Sequence, residues 1–355
     1  MVLTTEAVVH YNYKSQPTLE KQDVPVDPAT GELDPDEIVI KTEYAALNPV
    51  DIKLHALTIL NTRVHTLRDF SGTVAALGTN AAKSFKIGQP VWGLVMRTDD
   101  KHFVGTNTVA NLRDDVVAPL PANLTLEQAS AIPVAYGTAY QMLTYAECYG
   151  QKLGANSQIL VLGAGTSVGV FLLQLAKKLF NVGKIVATAS PRSAANSKEL
   201  GADEIIDYTK GALPEQFKQY AANNGKFDAI LDCVGGYDAV SVYPDILKHS
   251  STGAAYISVM GDGDPKATYA ATMVSALLAL PRTFFRQYFG KYFGINYCVF
   301  LLKRSEIEWA HRAPEFFSIP GVVIPIDSVY PIADLKSAWA KQDSTKARGK
   351  IIVQF

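Results

Sequence analysis

Residues 159–169 read Ile159-Leu160-Val161-Leu162-Gly163-Ala164-Gly165-Thr166-Ser167-Val168-Gly169. Four apolar residues in a row, without polar alternation, describe a short strand buried on both faces. A glycine-bearing turn follows, and from Val168 to Phe180 the apolar side chains recur at helical spacing. Strand, tight turn and helix together open a βαβ unit. Gly163 allows the tight turn, Gly165 lets the backbone approach a pyrophosphate, and Gly169 lets the helix pack closely on the sheet. Around Thr166, Ser167 and Val168, amides at the helix start have no partner within the helix and suit phosphate oxygens. The spacing is not the standard G-x-G-x-x-G. Counting back from Gly169, its other two positions fall on Thr166 and Ala164. A purely structural bend, or a site for another phosphate ligand, is the competing reading.

Working outward, Lys184–Ala189 is a second apolar run, and Ser193–Leu200 reads as a helix closed by Gly201. Glu204–Tyr208 is a third strand and Leu213–Ala222 a further helix. Phe227–Val234 and Ala255–Met260 are strands ended by Gly235-Gly236 and Gly261. This alternation predicts an α/β domain with a doubly wound, mostly parallel sheet. In such folds ligands lie at the carboxyl ends of the strands. After the second strand comes Ser190-Pro191-Arg192, where an NAD site usually places an acid for the ribose hydroxyls. Ser190 and Arg192 instead suit a phosphate, which favours NADPH. Lys198 is a further candidate, although it also reads as an ordinary solvated charge. Val234, Gly235 and Met260 are candidate walls for the nicotinamide, or simply strand ends.

Residues 1–125 look β-rich. Strands are expected at Ala7–Val9, Glu37–Lys41, Phe70–Leu77 and Val91–Val95, and no helical period dominates before Leu126. The tail returns to strand signals at Gly321–Pro325 and Gly349–Val353. The economical layout has three segments. Residues 1–125 begin a β domain, 126–265 form the dinucleotide-binding domain, and 266–355 return to complete the first domain with an aromatic-rich helical insertion.

Length and composition limit the function classes. A chain of 355 residues exceeds what one core usually serves. A formal charge of −1 gives no reason to expect a nucleic-acid partner. The three cysteines, Cys148, Cys233 and Cys298, lie too far apart for a disulfide framework or a metal knuckle. The N-terminus carries no secretory pattern, and no apolar stretch is long enough to span a bilayer. A cytoplasmic protein is expected.

Four segments together resemble the medium-chain dehydrogenase/reductase superfamily, in its zinc-independent quinone oxidoreductase and enoyl reductase branch. They are Ala46-Leu47-Asn48-Pro49-Val50-Asp51-Ile52-Lys53, Asp69–Val74, Ile132–Tyr140 and Leu200–Tyr208. They occur in the family's order within residues 1 to about 261, and the tail matches less sharply. The run Gly165-Thr166-Ser167-Val168 is similar to fungal members associated with membranes or lipid droplets. The resemblance implies a GroES-like β domain and a Rossmann domain with the active site between them. It implies NADPH-dependent reduction of a quinone or an α,β-unsaturated carbonyl compound. It carries Asn48 and Thr138 over as residues near the nicotinamide and Tyr208 as one near the adenosine 2′-phosphate. Thr166 stands where the family has glycine.

Zinc members of the superfamily need a cysteine near Asn48 and a Gly-His-Glu motif where Arg68-Asp69 stands, and both are missing. No metal is expected, although His55 and His65 could meet by folding. Without metal, the expected step is direct hydride transfer, with backbone amides or the Asn48 amide stabilising the charge that reaches the substrate oxygen. Asp51 and Tyr136 are the candidate catalytic acids, with local capping and packing as their competing roles. Residues 267–302 have two readings. They pack at a homodimer or substrate surface, or they lie on a lipid interface with Phe284, Phe285, Phe289 and Phe293 buried while Arg286 and Lys291 stay wet. The whole chain also admits two readings: an NADPH-dependent reductase, monomeric or dimeric, or a non-catalytic NADPH-binding adaptor for a protein or lipid surface.

Overall fold

The computed structural model describes residues 3–12, 15–24, 33–57, 63–96, 98–263, 274–275, 277–304 and 306–355. The side chain of His55 and residues 267–273 and 276, on which sequence expectations fall, lie outside them. The chain forms two compact units, Met1–Gly137 with Lys303–Phe355, and Thr138–Leu302.

In the first unit, β1 (Leu3–His10), β2 (Thr18–Val24), β3 (Glu37–Leu47), β4 (Val64–His65), β5 (Asp69–Leu77), β6 (Pro90–Leu94), β7 (Asn107–Asn111) and β8 (Val116–Pro119) precede the second unit. The second unit contributes β9 (Gln158–Leu162), β10 (Lys184–Ala189), β11 (Glu204–Asp207), β12 (Ala229–Asp232), β13 (Ala255–Ser258) and β14 (Asn296–Val299). The chain then returns with β15 (Ile326–Pro331) and β16 (Lys350–Gln354). A three-stranded sheet runs β2-β1-β4, and a larger one runs β15-β16-β3-β5-β6-β8, with β7 also pairing β3. The last strand therefore lies antiparallel to β3, with Ile352 opposite Ala46 and Ile351 opposite Leu47. These residues are all buried, so the end of the chain seals the core that its beginning starts.

The sequence predicts no helix before Leu126, yet Pro49–Leu57 is helical. Nine residues give little room for a helical period to show. The signal is instead at the start: Pro49 has no N–H to leave unsatisfied there, and the Asp51 carboxylate accepts the Asn48 amide at 2.7 Å. The strand expected at Gly321–Pro325 begins at Ile326 instead, after Gly321 turns with φ +73°.

The second unit is a parallel sheet of order β11-β10-β9-β12-β13-β14. The chain winds outward from β9 to β11, crosses back, and winds outward again from β12 to β14. The switch point therefore lies between β9 and β12. Two strands stop earlier than expected, and side chains stop them. Asp232 Oδ1 accepts the amides of Val234 and Gly235 at 3.0 and 2.8 Å, which turns the chain out of β12. Ser258 Oγ accepts the Gly261 amide at 2.9 Å and does the same after β13. The sixth strand, β14, pairs β13 from Asn296 to Val299. It draws part of the 266–302 region into the parallel sheet and into this unit.

Candidate functional site

The bend after β9 is built as its sequence suggests, with one substitution of means. Gly163 has φ +83°, and a Cβ there would lie 2.5 Å from Val234 Cγ1. A Cβ on Gly169 would lie 2.3 Å from the Gly163 carbonyl oxygen, so the helix Ser167–Lys178 can approach the bend only with glycine there. Thr166, in the place of a glycine, is the N-cap. Its hydroxyl donates to the Gly163 carbonyl at 2.9 Å and accepts the Gly169 amide at 3.0 Å. The side chain thus ties the bend shut from inside. β10 ties it from the flank: Thr188 Oγ1 accepts the Gly163 amide at 2.9 Å, and the Thr188 carbonyl accepts the Ala164 amide at 3.1 Å. The amides of Gly165, Ser167 and Val168 are not used in any of these ties. Those of Ser167 and Val168 are the first two of the helix, where the dipole favours an anion, and that of Gly165 lies just before the cap.

The neighbouring strand ends supply the phosphate candidates. Ala189 pairs with Asp207, so Ser190 and Tyr208 leave the sheet side by side. Ser190 stands at the N-cap position of the helix Pro191–Glu199 without bonding its amides, and its hydroxyl lies 3.3 Å from that of Ser193. Ser193, which the sequence reading missed, faces the bend: a Cβ on Gly165 would lie 3.4 Å from its Oγ. The only sequence signal for it is its place in the first turn after Pro191. Arg192 is exposed in the same turn. Lys198 is in the last turn of that helix, roughly 10 Å along the axis, where a cation complements the dipole and does not join Ser190. On the other side of β9, Val234, Gly235 and Met260 come together. A Cβ on Gly235 would lie 2.7 Å from Met260 Cβ. Thr138 is buried on the helix Pro133–Glu147. The bend, the free amides and the hydroxyl pair fit a dinucleotide.

In the first unit, Asn48 heads a buried charge network. Its Nδ2 donates to Asp69 Oδ2 at 3.0 Å, and its Oδ1 accepts from the Lys350 ammonium. Lys350 also meets Asp69 Oδ2 at 2.8 Å, and Asp69 Oδ1 accepts the Val134 amide. Asn48 therefore already has partners on both ends of its amide. The sequence expectation that it donates to a substrate oxygen requires one of them to be given up. Burial raises the Asp51 carboxyl to about 6, against the opposing pull of the nearby Arg68 charge and the Asn48 amide. Burial also pulls the Lys53 ammonium, on the same helix, down to about 8. Tyr136 is fully buried, its ring 5.4 Å from Phe316 and 5.2 Å from Phe317. These contacts show the packing role that the sequence allows it.

The same network bears on zinc. Among the described residues no group of three or more His, Cys, Asp or Glu side chains is arranged to hold a metal ion. Beside Asp69 the cation is an ammonium, which offers only donors and would repel a divalent ion. These residues do not fit zinc.

A GroES-like β domain and a Rossmann-type parallel sheet, carrying a glycine bend at the switch point, define a nucleotide-dependent dehydrogenase architecture. Residues 34–114 match the alcohol dehydrogenase GroES-like domain family, and residues 200–353 match the family described as zinc-binding dehydrogenase. Protein YIM1-1 of Lachancea thermotolerans is 32% identical over 369 residues, covering 99% of each chain. The chain belongs to the medium-chain dehydrogenase/reductase superfamily, in a family with that protein. Among solved structures, the quinone oxidoreductase from Coxiella burnetii superposes with a TM-score of 0.75 at 22% identity, covering 99% of this chain and 100% of that one. A mycobacterial protein complexed with NADPH superposes with a TM-score of 0.68 at 18% identity, over 99% and 100% of the two chains.

Proposed function

We propose that the protein is an NADPH-dependent, zinc-independent oxidoreductase that reduces a quinone or an α,β-unsaturated carbonyl compound. The observation that carries this reading is the bend at Gly163–Gly169, where two glycines have no room for a Cβ and a threonine cap leaves neighbouring amides available to phosphate. NADPH would supply the hydride. The protein's part is to hold it. Ser167 and Val168 amides take the pyrophosphate, while Ser190, Arg192, Ser193 and Tyr208 take the adenosine 2′-phosphate. Val234, Gly235 and Met260 flank the nicotinamide. Lys350 and Asp69 fix the orientation of Asn48 rather than react. The likeness to a quinone oxidoreductase supports the substrate class. NADPH consumption against a panel of quinones and enones tests it. Turnover with at least one of them is expected, at a higher rate with NADPH than with NADH. Tight NADPH binding without turnover across the panel favours the adaptor instead.

A second reading concerns where the protein works. Leu280–Phe289 is a helix whose Phe284 and Phe285 are 59% and 50% exposed, and Phe293 just beyond it is 61% exposed. No acidic residue occurs between Asp264 and Glu306. We infer peripheral contact of this face with an anionic lipid surface, on a protein otherwise of the cytoplasm. Arg286 does not take part as the sequence suggested. Its side chain is 12% exposed and turned inward on Asp262, because a buried carboxylate competes better for it than water does. Lys291 stays outside, 5.0 Å from the Tyr292 ring.

A further inference from the structure

Asp262 stands in the loop that leaves β13, and its carboxylate is fully enclosed. Two guanidiniums from the helix Leu280–Phe289 hold it. Arg282 Nε donates to Oδ2 at 2.6 Å, Arg286 Nη1 donates to Oδ1 at 2.8 Å, and Arg286 Nη2 donates to Oδ2. Both arginines are also held from the sides. Arg282 lies 4.6 Å from the Tyr237 ring centre, and Arg286 lies 4.9 Å from that of Tyr297. Tyr237 follows the Gly235-Gly236 turn, so one ion cluster joins the loop after β12, the loop after β13 and the helix.

Those two loops touch backbone to backbone. The Gly236 amide donates to the Gly261 carbonyl at 3.0 Å. A Cβ on Gly235 would lie 3.0 Å from that same oxygen, and one on Gly261 would lie 3.4 Å from Thr283 Cγ2 of the helix. The helix is thus tied by its arginines to Asp262, next in sequence to Gly261, whose carbonyl in turn holds the Gly236 amide. Compared with apolar packing, a buried ion pair adds little net stability. What a forked guanidinium adds is direction, because both of its bonds break when it tilts.

We propose that Asp262 and Arg286 are positioning residues for the nicotinamide half of the bound dinucleotide, locking Met260–Gly263 against Gly235 through the helix 280–289. This rests on the dinucleotide reading above. The adenosine half falls to the bend at 163–169 and to Ser190 and Arg192, and among the described residues the hydrogen bonds and ion pairs of Asp262, Arg282 and Arg286 do not reach them. The two halves of the cofactor must then respond differently to its loss.

The test compares wild type, Arg286→Lys and the double variant Asp262→Leu with Arg286→Met. The double variant removes the two enclosed charges and leaves Arg282, which is half exposed, to solvent. Binding of NADPH is read by nicotinamide fluorescence and binding of adenosine 2′,5′-bisphosphate by calorimetry. In the double variant the NADPH Kd is expected to rise about tenfold or more while the bisphosphate Kd stays within about twofold. Arg286→Lys falls between, since it keeps the charge and loses the fork. Equal weakening of both ligands, or no change in either, overturns the proposal. A wild type that binds neither ligand overturns the dinucleotide reading itself and the proposal with it.

Discussion

Single residues in this chain do work that their types alone do not announce. Thr166 occupies a glycine position and replaces backbone freedom with a cap, closing the bend from Gly163 to Gly169 through one hydroxyl. Asp51 serves the Asn48 amide and is buried for it. Its carboxyl, raised to about 6 from 3.8, keeps a proton in the folded chain that the unfolded chain releases. The folded state therefore binds more protons between pH 4 and 6, and stability falls as pH rises through that window, by about 3 kcal/mol in all. Asp51→Asn cannot ionise and lacks this slope. Urea denaturation of both proteins from pH 4.5 to 7 is expected to show Asp51→Asn gaining on wild type up to about pH 6 and then holding level. Asp115, also raised to about 6 by burial, contributes equally to both curves and cancels. Curves that stay parallel would mean that Asp51 is solvated.

At the scale of elements, the parallel sheet was readable because short apolar runs alternate with helical segments, three of the runs being followed by glycine at 163, 235 and 261, and the bend because its glycines sit between a strand and a helix. Lys184–Ala189 falls where the alternation puts it. Side-chain terminations such as Asp232 and Ser258 were not readable, since a carboxylate that stops a strand looks the same in sequence as one inside a strand. Nor was β14, whose four residues Asn296–Val299 are too few to show a period and sit inside a long apolar and aromatic stretch. The helix 280–289 was legible as aromatic, but the split of its arginines was not. Only the fold brings Asp262 beneath Arg286. The exposed face has its own test. Serine at Phe284, Phe285, Phe289 and Phe293 removes four large apolar side chains that are 47–61% exposed. The variant should stay folded and fail to float with vesicles containing anionic lipid, while wild type floats and is released by salt. Wild type that remains at the bottom of the gradient, or a variant that floats equally, rules out lipid as the partner.

Across the whole molecule the decisive contacts join residues about 300 apart. β16 lies beside β3, and Lys350 brings its ammonium to Asp69 and Asn48. The strand run Gly349–Val353 was legible in the tail, and its return to the first domain was the economical guess. That Lys350, the first residue of β16, is buried against a carboxylate was not, because a lysine beside a glycine ordinarily reads as a solvated turn. Lys350→Met should cost about 3–5 kcal/mol, as it strands the Asp69 charge in the core. Adding Asp69→Asn should recover part of that loss. Denaturant midpoints of the three proteins check it, and a single variant as stable as wild type would show that the pair is solvated. A network placed this way holds Asn48 in one orientation and puts an ammonium, not a ligand, beside Asp69.

Whether the bend at Gly163–Gly169 takes a dinucleotide is decided most directly by a fluorescence titration with NADPH. Wild type should saturate in the micromolar range and be displaced by adenosine 2′,5′-bisphosphate. Gly169→Ala, whose Cβ would press on the Gly163 carbonyl at 2.3 Å, should lose this response. An unchanged nicotinamide signal with wild type up to millimolar NADPH would contradict the account at its base.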